Sequence, residues 1–245
     1  MGMSPEGIGV STITLARTPN EEKQIIDSLK ILSKLNLPVI VCDGGSPADF
    51  LGRLKKIEGV IITPQPNGPL LSQVKESLNT AAASFPYVFY TESNKLDFFS
   101  RQLLFFLDEA NKIIKQSHPG VILASRSPES FSTYPPFQKQ TESITNLLLA
   151  DFLGTKIHDY SYGPRVIDSQ LISFLNNIET DLGWGWMSYI LFAAKNKSQE
   201  IKSLELDLPC PKNEREETAK DKKLRLKQLD DHIRAILEAH QSFML

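Results

Sequence analysis

Cysteine is nearly absent from this chain: its 245 residues include two, Cys42 in an apolar run and Cys210 between two prolines. That excludes a disulfide framework and fits a reducing, cytoplasmic setting. Isolated cysteines of this kind are more often small buried hydrophobes than nucleophiles. Long apolar runs are missing as well. None approaches the roughly 20 residues that a spanning helix needs. The segment Met1 to Gly9 is too short and too rich in Gly and Pro for the apolar part of a signal peptide. Charge of one sign is also lacking, since 27 basic residues meet 29 acidic ones for a formal net of −2. No global field would therefore hold nucleic acid or an anionic membrane. Internal repeats, paired-cysteine metal spacings, a Ser-His-Asp arrangement and a P-loop are all missing.

What is present is an alternation of short β-branched runs with longer helical patterns. Gly9–Leu15 reads as a strand, and Glu21–Leu35 as a helix with Asn20 as its N-cap. Val39–Cys42 is a strand running into the turn Asp43-Gly44-Gly45-Ser46. Ala48–Ile57 is a helix, Val60–Ile62 a strand, Leu70–Ser84 a helix and Tyr87–Tyr90 a strand. Leu96–Gln116 follows as one long helix, then Val121–Ala124 as a strand. Continuous apolar strands separated by helices predict an α/β domain with a mainly parallel sheet covered on both faces. Its ligand belongs beyond the carboxyl ends of the strands. Those ends carry Ala16-Arg17-Thr18, Asp43 to Ser46, Thr91-Glu92-Ser93-Asn94 and Ser125-Arg126.

Beyond Ser125 the pattern changes. Arg126–Pro136 reads as a loop, Thr141–Leu153 as a helix and Tyr160–Arg165 as turn-rich chain. Asp168–Leu175 and Trp186–Ala194 are expected helices, and Ile201–Leu208 alternates like an edge strand. Glu214–Gln241 is a charged amphipathic helix with Leu226, Leu229, Ile233, Ile236 and His240 on its core-facing stripe. This divides the chain into a main domain, residues 1–211, and a helical extension, residues 212–245, the latter also a candidate homodimer element.

The strand-end loops resemble those of family 2-type GT-A glycosyltransferases. The matching segments are Ile13-Thr14-Leu15-Ala16-Arg17-Thr18-Pro19-Asn20-Glu21-Glu22, Val41-Cys42-Asp43-Gly44-Gly45-Ser46 and Tyr90-Thr91-Glu92-Ser93-Asn94. Tyr162-Gly163-Pro164-Arg165 and Gly183-Trp184-Gly185-Trp186-Met187 point to the glucosyl-3-phosphoglycerate and mannosylglycerate synthase branch. The resemblance implies a Rossmann-like GT-A fold holding a nucleotide diphosphate-sugar. It places Arg17, Thr18, Glu21, Asp43, Gly45 and Ser46 near the nucleotide, with Glu92, Ser93 and Asn94 at the diphosphate. Glu92, facing the diphosphate, is a candidate catalytic residue together with Arg126 and Arg165, whose guanidinium groups would help neutralise it. Lys139 and Thr141 match acceptor-side residues, and Trp184 and Trp186 are candidate walls for a sugar or acceptor.

The chain also departs from that pattern. Relatives bind a divalent cation, Mg or Mn, that bridges the two phosphates. Here the second carboxylate position is Asn94, the histidine ligand falls near Pro211, an acidic residue is replaced by Met187, and a phosphate-contacting lysine aligns with Pro69. The ligand set for a metal is thus incomplete. The implied activity is hexosyl transfer to a small or lipid-linked acceptor, run without metal through positive side chains such as Arg17 and Lys95. The competing reading is a non-catalytic nucleotide-sugar or protein-binding module on the same fold. Simpler roles compete at single residues: Asp43 capping its own turn, a surface ion pair for Arg126, core packing for the tryptophans. Of the histidines, only His158, beside Asp159, falls near the expected site.

Overall fold

The computed structural model describes residues 7–243, so most of the stretch read against a signal peptide lies outside the described residues. In chain order the elements are β1 (Ile8–Thr14), α1 (Pro19–Ser33), β2 (Val39–Asp43), α2 (Ala48–Leu54), β3 (Val60–Ile62), α3 (Leu70–Ala82) and β4 (Tyr87–Tyr90). Next come α4 (Leu96–Arg101), α5 (Leu103–Ser117), β5 (Val121–Arg126), α6 (Pro128–Ser132), α7 (Pro136–Leu153) and β6 (Arg165–Asp168). The chain closes with α8 (Ser169–Leu175), α9 (Trp186–Asn196), β7 (Ile201–Leu206) and α10 (Ala219–Phe243).

The seven strands form one sheet in the order β3-β2-β1-β4-β6-β5-β7. Only β6 runs against the others, so the sheet is mainly parallel with one reversed strand inside it. The continuous apolar runs of β2, β4 and β5 exist because both faces are covered there. Val88 and Tyr90 of β4 belong with α3, α8 and α9 on one face, whereas Tyr87 and Phe89 belong with α1, α4 and α5 on the other. Val121 and Leu123 of β5 divide from Ile122 and Ala124 in the same way.

Four local readings change. The N-cap of α1 is Thr18 rather than Asn20. Pro19, with its fixed φ and no N–H, takes the first helical position. Thr18 Oγ1 then accepts from Glu21 N while Glu21 Oε2 accepts from Thr18 N, which closes a capping box. The single helix over 96–116 breaks at Gln102, whose φ of −124° is not helical, and the break lets Phe98 and Phe106 both reach Phe89. The loop after Arg126 contains α6, capped by Ser127. The turn-rich stretch ends in β6, four residues whose tail, Asp168, also caps α8 and so reads in sequence as a helix start.

The C-terminal helix is rotated relative to its expected stripe. Leu226 and Ile233 are exposed, and the inward face is Asp231, His232, Ala235, Ile236 and Ala239. Ala235, Ile236 and Ala239 belong to the same buried cluster as β4 and β5, so α10 completes one face of the core. Glycine makes this docking possible. A β-carbon on Gly183 would overlap the Asp231 carboxylate, and one on Gly185 would overlap the Asp231 carbonyl oxygen and crowd Ala235. Trp184 N then donates to Asp231 Oδ2 at 3.2 Å. No helix among the described residues is long and apolar enough to cross a membrane.

Substituting Gly185→Ala is expected to lift α10 off the core. It should cost about 1–3 kcal/mol, a fall of several degrees in thermal midpoint for a chain this size. A midpoint within one degree of the parent (about 0.3 kcal/mol or less) would show that the contact is not tight.

Candidate functional site

The carboxyl ends of β1, β4 and β5 open into one cleft of about 890 Å³, walled on the far side by α7 and α10. The volume is that of a typical small-molecule site. Its wall at the ends of β1 and β4 contains Arg17, Glu21, Glu92, Ser93 and Asn94. Thr18, Asp43, Gly45 and Ser46 are not on its lining, because their groups are occupied in building the loops. Asp43 Oδ1 accepts from Gly45 N at 2.9 Å and Ser46 N at 2.7 Å, and Oδ2 accepts from Thr14 Oγ1 at 2.8 Å and Ser46 Oγ at 2.6 Å. Ser46 Oγ in turn accepts from Ala16 N at 2.8 Å. The Asp43 carboxylate thus pins β1 to the turn after β2, the Asx role weighed for it above. Gly45, at φ +106°, supplies the left-handed residue of that turn.

At the end of β4, Ser93 Oγ donates to Ile13 O at 3.2 Å and Asn94 is exposed. The Glu92 carboxylate lies directly over Gly163, where a β-carbon would overlap it, and its Oε2 is shielded from solvent without a hydrogen-bond partner. Pro211 and Met187 line the cleft but bring no hard oxygen donor. Among the described residues no three His, Cys, Asp or Glu side chains come together as a metal site. One carboxylate and one amide fall well short of the oxygen set a hard divalent cation takes.

The wall at the end of β5 contains a buried charge cluster. Arg126 forks onto Asp159, with Nε to Oδ2 at 2.6 Å and Nη2 to Oδ1 at 2.9 Å, and reaches Glu142 Oε2 at 2.6 Å. Its guanidinium also lies 4.4 Å from the Tyr134 ring centroid and 4.8 Å from that of Phe131. Burial opposes its charge, but Asp159 and Glu142 outweigh that and hold the group well above its ordinary value. Arg126 borders the cleft with its charge already balanced by two carboxylates.

Arg165 is placed differently from its expected role. It is fully buried off the cleft and donates to the carbonyl oxygens of Gly163, Met187, Tyr160 and Tyr162 at 2.9–3.1 Å. Burial lowers its pKa to about 10, opposed by Glu92 and Tyr90. It splints the backbone around β6. Trp186 is likewise core, packed edge-on against Tyr90 at 4.7 Å, while Trp184 lines the cleft. Thr141 lines it too, but Lys139 turns away to Ser132 O at 2.8 Å. The histidine at the cleft is His232 of α10, not His158. Its Nδ1 shares a hydrogen bond of 2.8 Å with Ser188 Oγ.

No family model and no curated protein matches this sequence. Solved structures do match in shape. Glucosyl-3-phosphoglycerate synthase from Mycobacterium tuberculosis in complex with uridine diphosphate aligns with a TM-score of 0.64 at 18% identity, over 95% of this chain and 79% of that one. A complex of the same enzyme with Mn2+, uridine diphosphate and phosphoglyceric acid gives 0.63 at 18% identity, over 95% and 78%. The fold is that of the GT-A glycosyltransferases. Mannosyl-3-phosphoglycerate synthase from Rubrobacter xylanophilus shares it, with a TM-score of 0.62 at 13% identity over 96% of this chain and 75% of that one. Identities this low establish the GT-A fold and leave the chemistry to the residues of the cleft.

Several cleft residues escape a sequence reading. Glu142 and Gln138 sit four apart on α7, a spacing visible in sequence, but nothing there singles them out from a solvated face. Gln138 Nε2 donates to Glu142 Oε1 at 2.8 Å, and its Oε1 accepts from Arg225 Nη2 at 2.9 Å. Arg225, Gln228, Leu229 and His232 reach the cleft only because α10 folds back across it.

Burial, assisted by the charge of Arg165, pushes the His232 pKa down to about 3 from an ordinary 6.5. The unfolded chain therefore takes up a proton at this residue that the native state refuses. The resulting stabilisation is complete above about pH 6.5 and declines as pH falls toward 3, by up to about 1.4 kcal/mol per pH unit. Urea denaturation from pH 7 to pH 4 should show the parent losing stability faster than His232→Asn. Parallel curves would mean that His232 is not held neutral.

Proposed function

We propose that the cleft binds a nucleotide diphosphate-sugar and transfers its hexosyl group to a small or lipid-linked acceptor. The observation that carries this reading is the placement of a roughly 890 Å³ cleft at the ends of β1, β4 and β5 of a GT-A sheet, with Glu92, Ser93 and Asn94 on its wall. Uridine diphosphate is bound by the M. tuberculosis synthase of the same fold, in one structure together with phosphoglyceric acid.

In this reading the Asp43–Ser46 turn and the Thr18–Glu21 capping box hold the loops that face the base and ribose, with Arg17 and Glu21 on the cleft wall. The diphosphate lies against Ser93 and Asn94, and Thr141 and Trp184 face the acceptor. Transfer breaks the bond between the anomeric carbon and the phosphate oxygen, whose electron pair leaves with the nucleoside diphosphate. The acceptor hydroxyl oxygen forms the new bond, and its proton is released. The incomplete ligand set at Glu92 and Asn94 supports transfer without a divalent cation. Charge developing on the leaving diphosphate then has to be met by protein cations. Arg126 and Arg165 support this indirectly, by fixing the walls. The cytoplasmic setting and pairing of two copies through the outer face of α10 remain parts of this reading that rest on sequence. The second reading, a binding module without transfer, is favoured by the same loss of metal ligands.

A thermal-shift series of nucleoside diphosphates and their sugars, each with Mn2+ and with chelator, tests the proposal. A ligand at about 100 times its dissociation constant adds about 2.7 kcal/mol. The midpoint should rise for one base class, with or without chelator. No rise with any nucleotide would end the reading.

A further inference from the structure

Four cationic side chains line the cleft: Arg17, Lys95, Arg126 and Arg225. They are not equivalent. Arg126 is balanced by Asp159 and Glu142. Lys95 sits over the Tyr162 ring at 5.0 Å. Arg17 is an exposed residue at the rim. Arg225, from α10, is the one fixed in place by hydrogen bonds yet without a carboxylate in direct contact, Asp221 one turn earlier on the helix acting on it only at longer range. Nη1 donates to Gln228 Oε1 at 3.1 Å and Nη2 to Gln138 Oε1 at 2.9 Å. Both partners are neutral amides, and no carboxylate among the described residues lies within ion-pair distance of it. Its Nε is shielded from solvent and makes no hydrogen bond.

The orientation of Arg225 is set by a chain of contacts. Asp159 holds Arg126, Arg126 holds Glu142, and Glu142 accepts from Gln138 Nε2, which leaves the Gln138 carbonyl oxygen to face Arg225. A guanidinium held open by neutral oxygens in a partly desolvated cleft is a prepared receptor for an oxyanion. The ends of β4 and β5 are separated only by β6, or about 10 Å at ordinary strand spacing. Arg225 itself lines the same cleft as Ser93 and Asn94, so an extended anion bound there is open to groups from both walls.

We propose that Arg225, carried on the C-terminal helix, supplies the positive charge for the donor's diphosphate that a divalent cation supplies where the ligand set is complete. The inference rests on the nucleotide-sugar reading for the identity of the anion. The disagreement between the Glu92, Asn94 and Pro211 positions and a metal site carries it independently, as does a guanidinium with no carboxylate in direct contact.

The test is calorimetric titration with inorganic pyrophosphate, with UDP, GDP and ADP, and with the matching nucleosides, in chelator and in Mn2+. Binding of pyrophosphate and of one nucleoside diphosphate by the parent should change by less than about twofold between the two conditions. Arg225→Gln should weaken both by about tenfold or more, the loss of one charge-assisted contact, with the nucleoside unaffected. Gln138→Glu provides a second route, because it gives Arg225 a carboxylate partner without removing it, and should produce the same loss. Arg225→Lys should recover part of the affinity. Parent-like pyrophosphate binding in Arg225→Gln or in Gln138→Glu would overturn the proposal, as would tightening of the parent by more than about tenfold in Mn2+. If the parent binds pyrophosphate through Arg225 but no nucleoside diphosphate, the nucleotide-sugar reading fails and the anion receptor stands. If the parent binds a nucleoside diphosphate that Arg225→Gln binds equally well, the reverse holds.

Discussion

Asp231 occupies the space that a side chain on Gly183 or Gly185 would need, and the position of α10 follows from that contact. Drawn down onto the turn before α9, the helix buries Ala235, Ile236 and Ala239 against the sheet-covering layer. The same rotation aims Arg225, Gln228 and His232 into the cleft and leaves Leu226 and Ile233 in solvent. Core completion and the chemistry of one cleft wall therefore depend on two glycines. Asp231 carries the cost of this approach. Burial raises its pKa, offset by the Trp184 N–H and by Arg234, which reaches Oδ1 at 2.7 Å.

Charge in the cleft is distributed by the same logic of burial. A guanidinium taken out of water must be paired or hydrogen-bonded at nearly every donor. Arg126 meets this with two carboxylates, and Arg165 with four backbone carbonyl oxygens. Both are thereby consumed as scaffold. Arg225 meets it only in part, with two amide oxygens. What distinguishes a structural arginine from one available to a ligand is thus the bookkeeping of its partners, not its position at a strand end.

That distinction is why the fold was more legible than the site. Strands such as Tyr87–Tyr90 and Val39–Asp43 announce themselves because continuous apolar runs suit a sheet covered on both faces, and the strand-end loops follow from them. β6 is not legible in the sequence, because four residues that follow a Gly-Pro pair and end in a helix cap carry too little pattern. Arg17, Glu21, Glu92, Ser93 and Asn94 fell on the cleft wall because they sit beside strand ends in sequence. Asp43, Arg165 and Trp186 likewise sit at the ends of elements, but long-range partners decide that they build rather than line. Arg225 lay beyond local reasoning altogether, since its place depends on a glycine contact some forty residues away in the chain.

The central claim, a GT-A cleft that takes the diphosphate of a nucleotide on protein groups alone, is tested most directly by a crystal structure with a nucleoside diphosphate soaked in the presence of Mn2+. The account predicts the diphosphate between Ser93, Asn94 and Arg225, with the base toward Arg17 and Glu21 and no metal peak bridging the phosphates. A Mn2+ ion held by Glu92 and both phosphates, with Arg225 still turned to Gln138 and Gln228 alone, would contradict it.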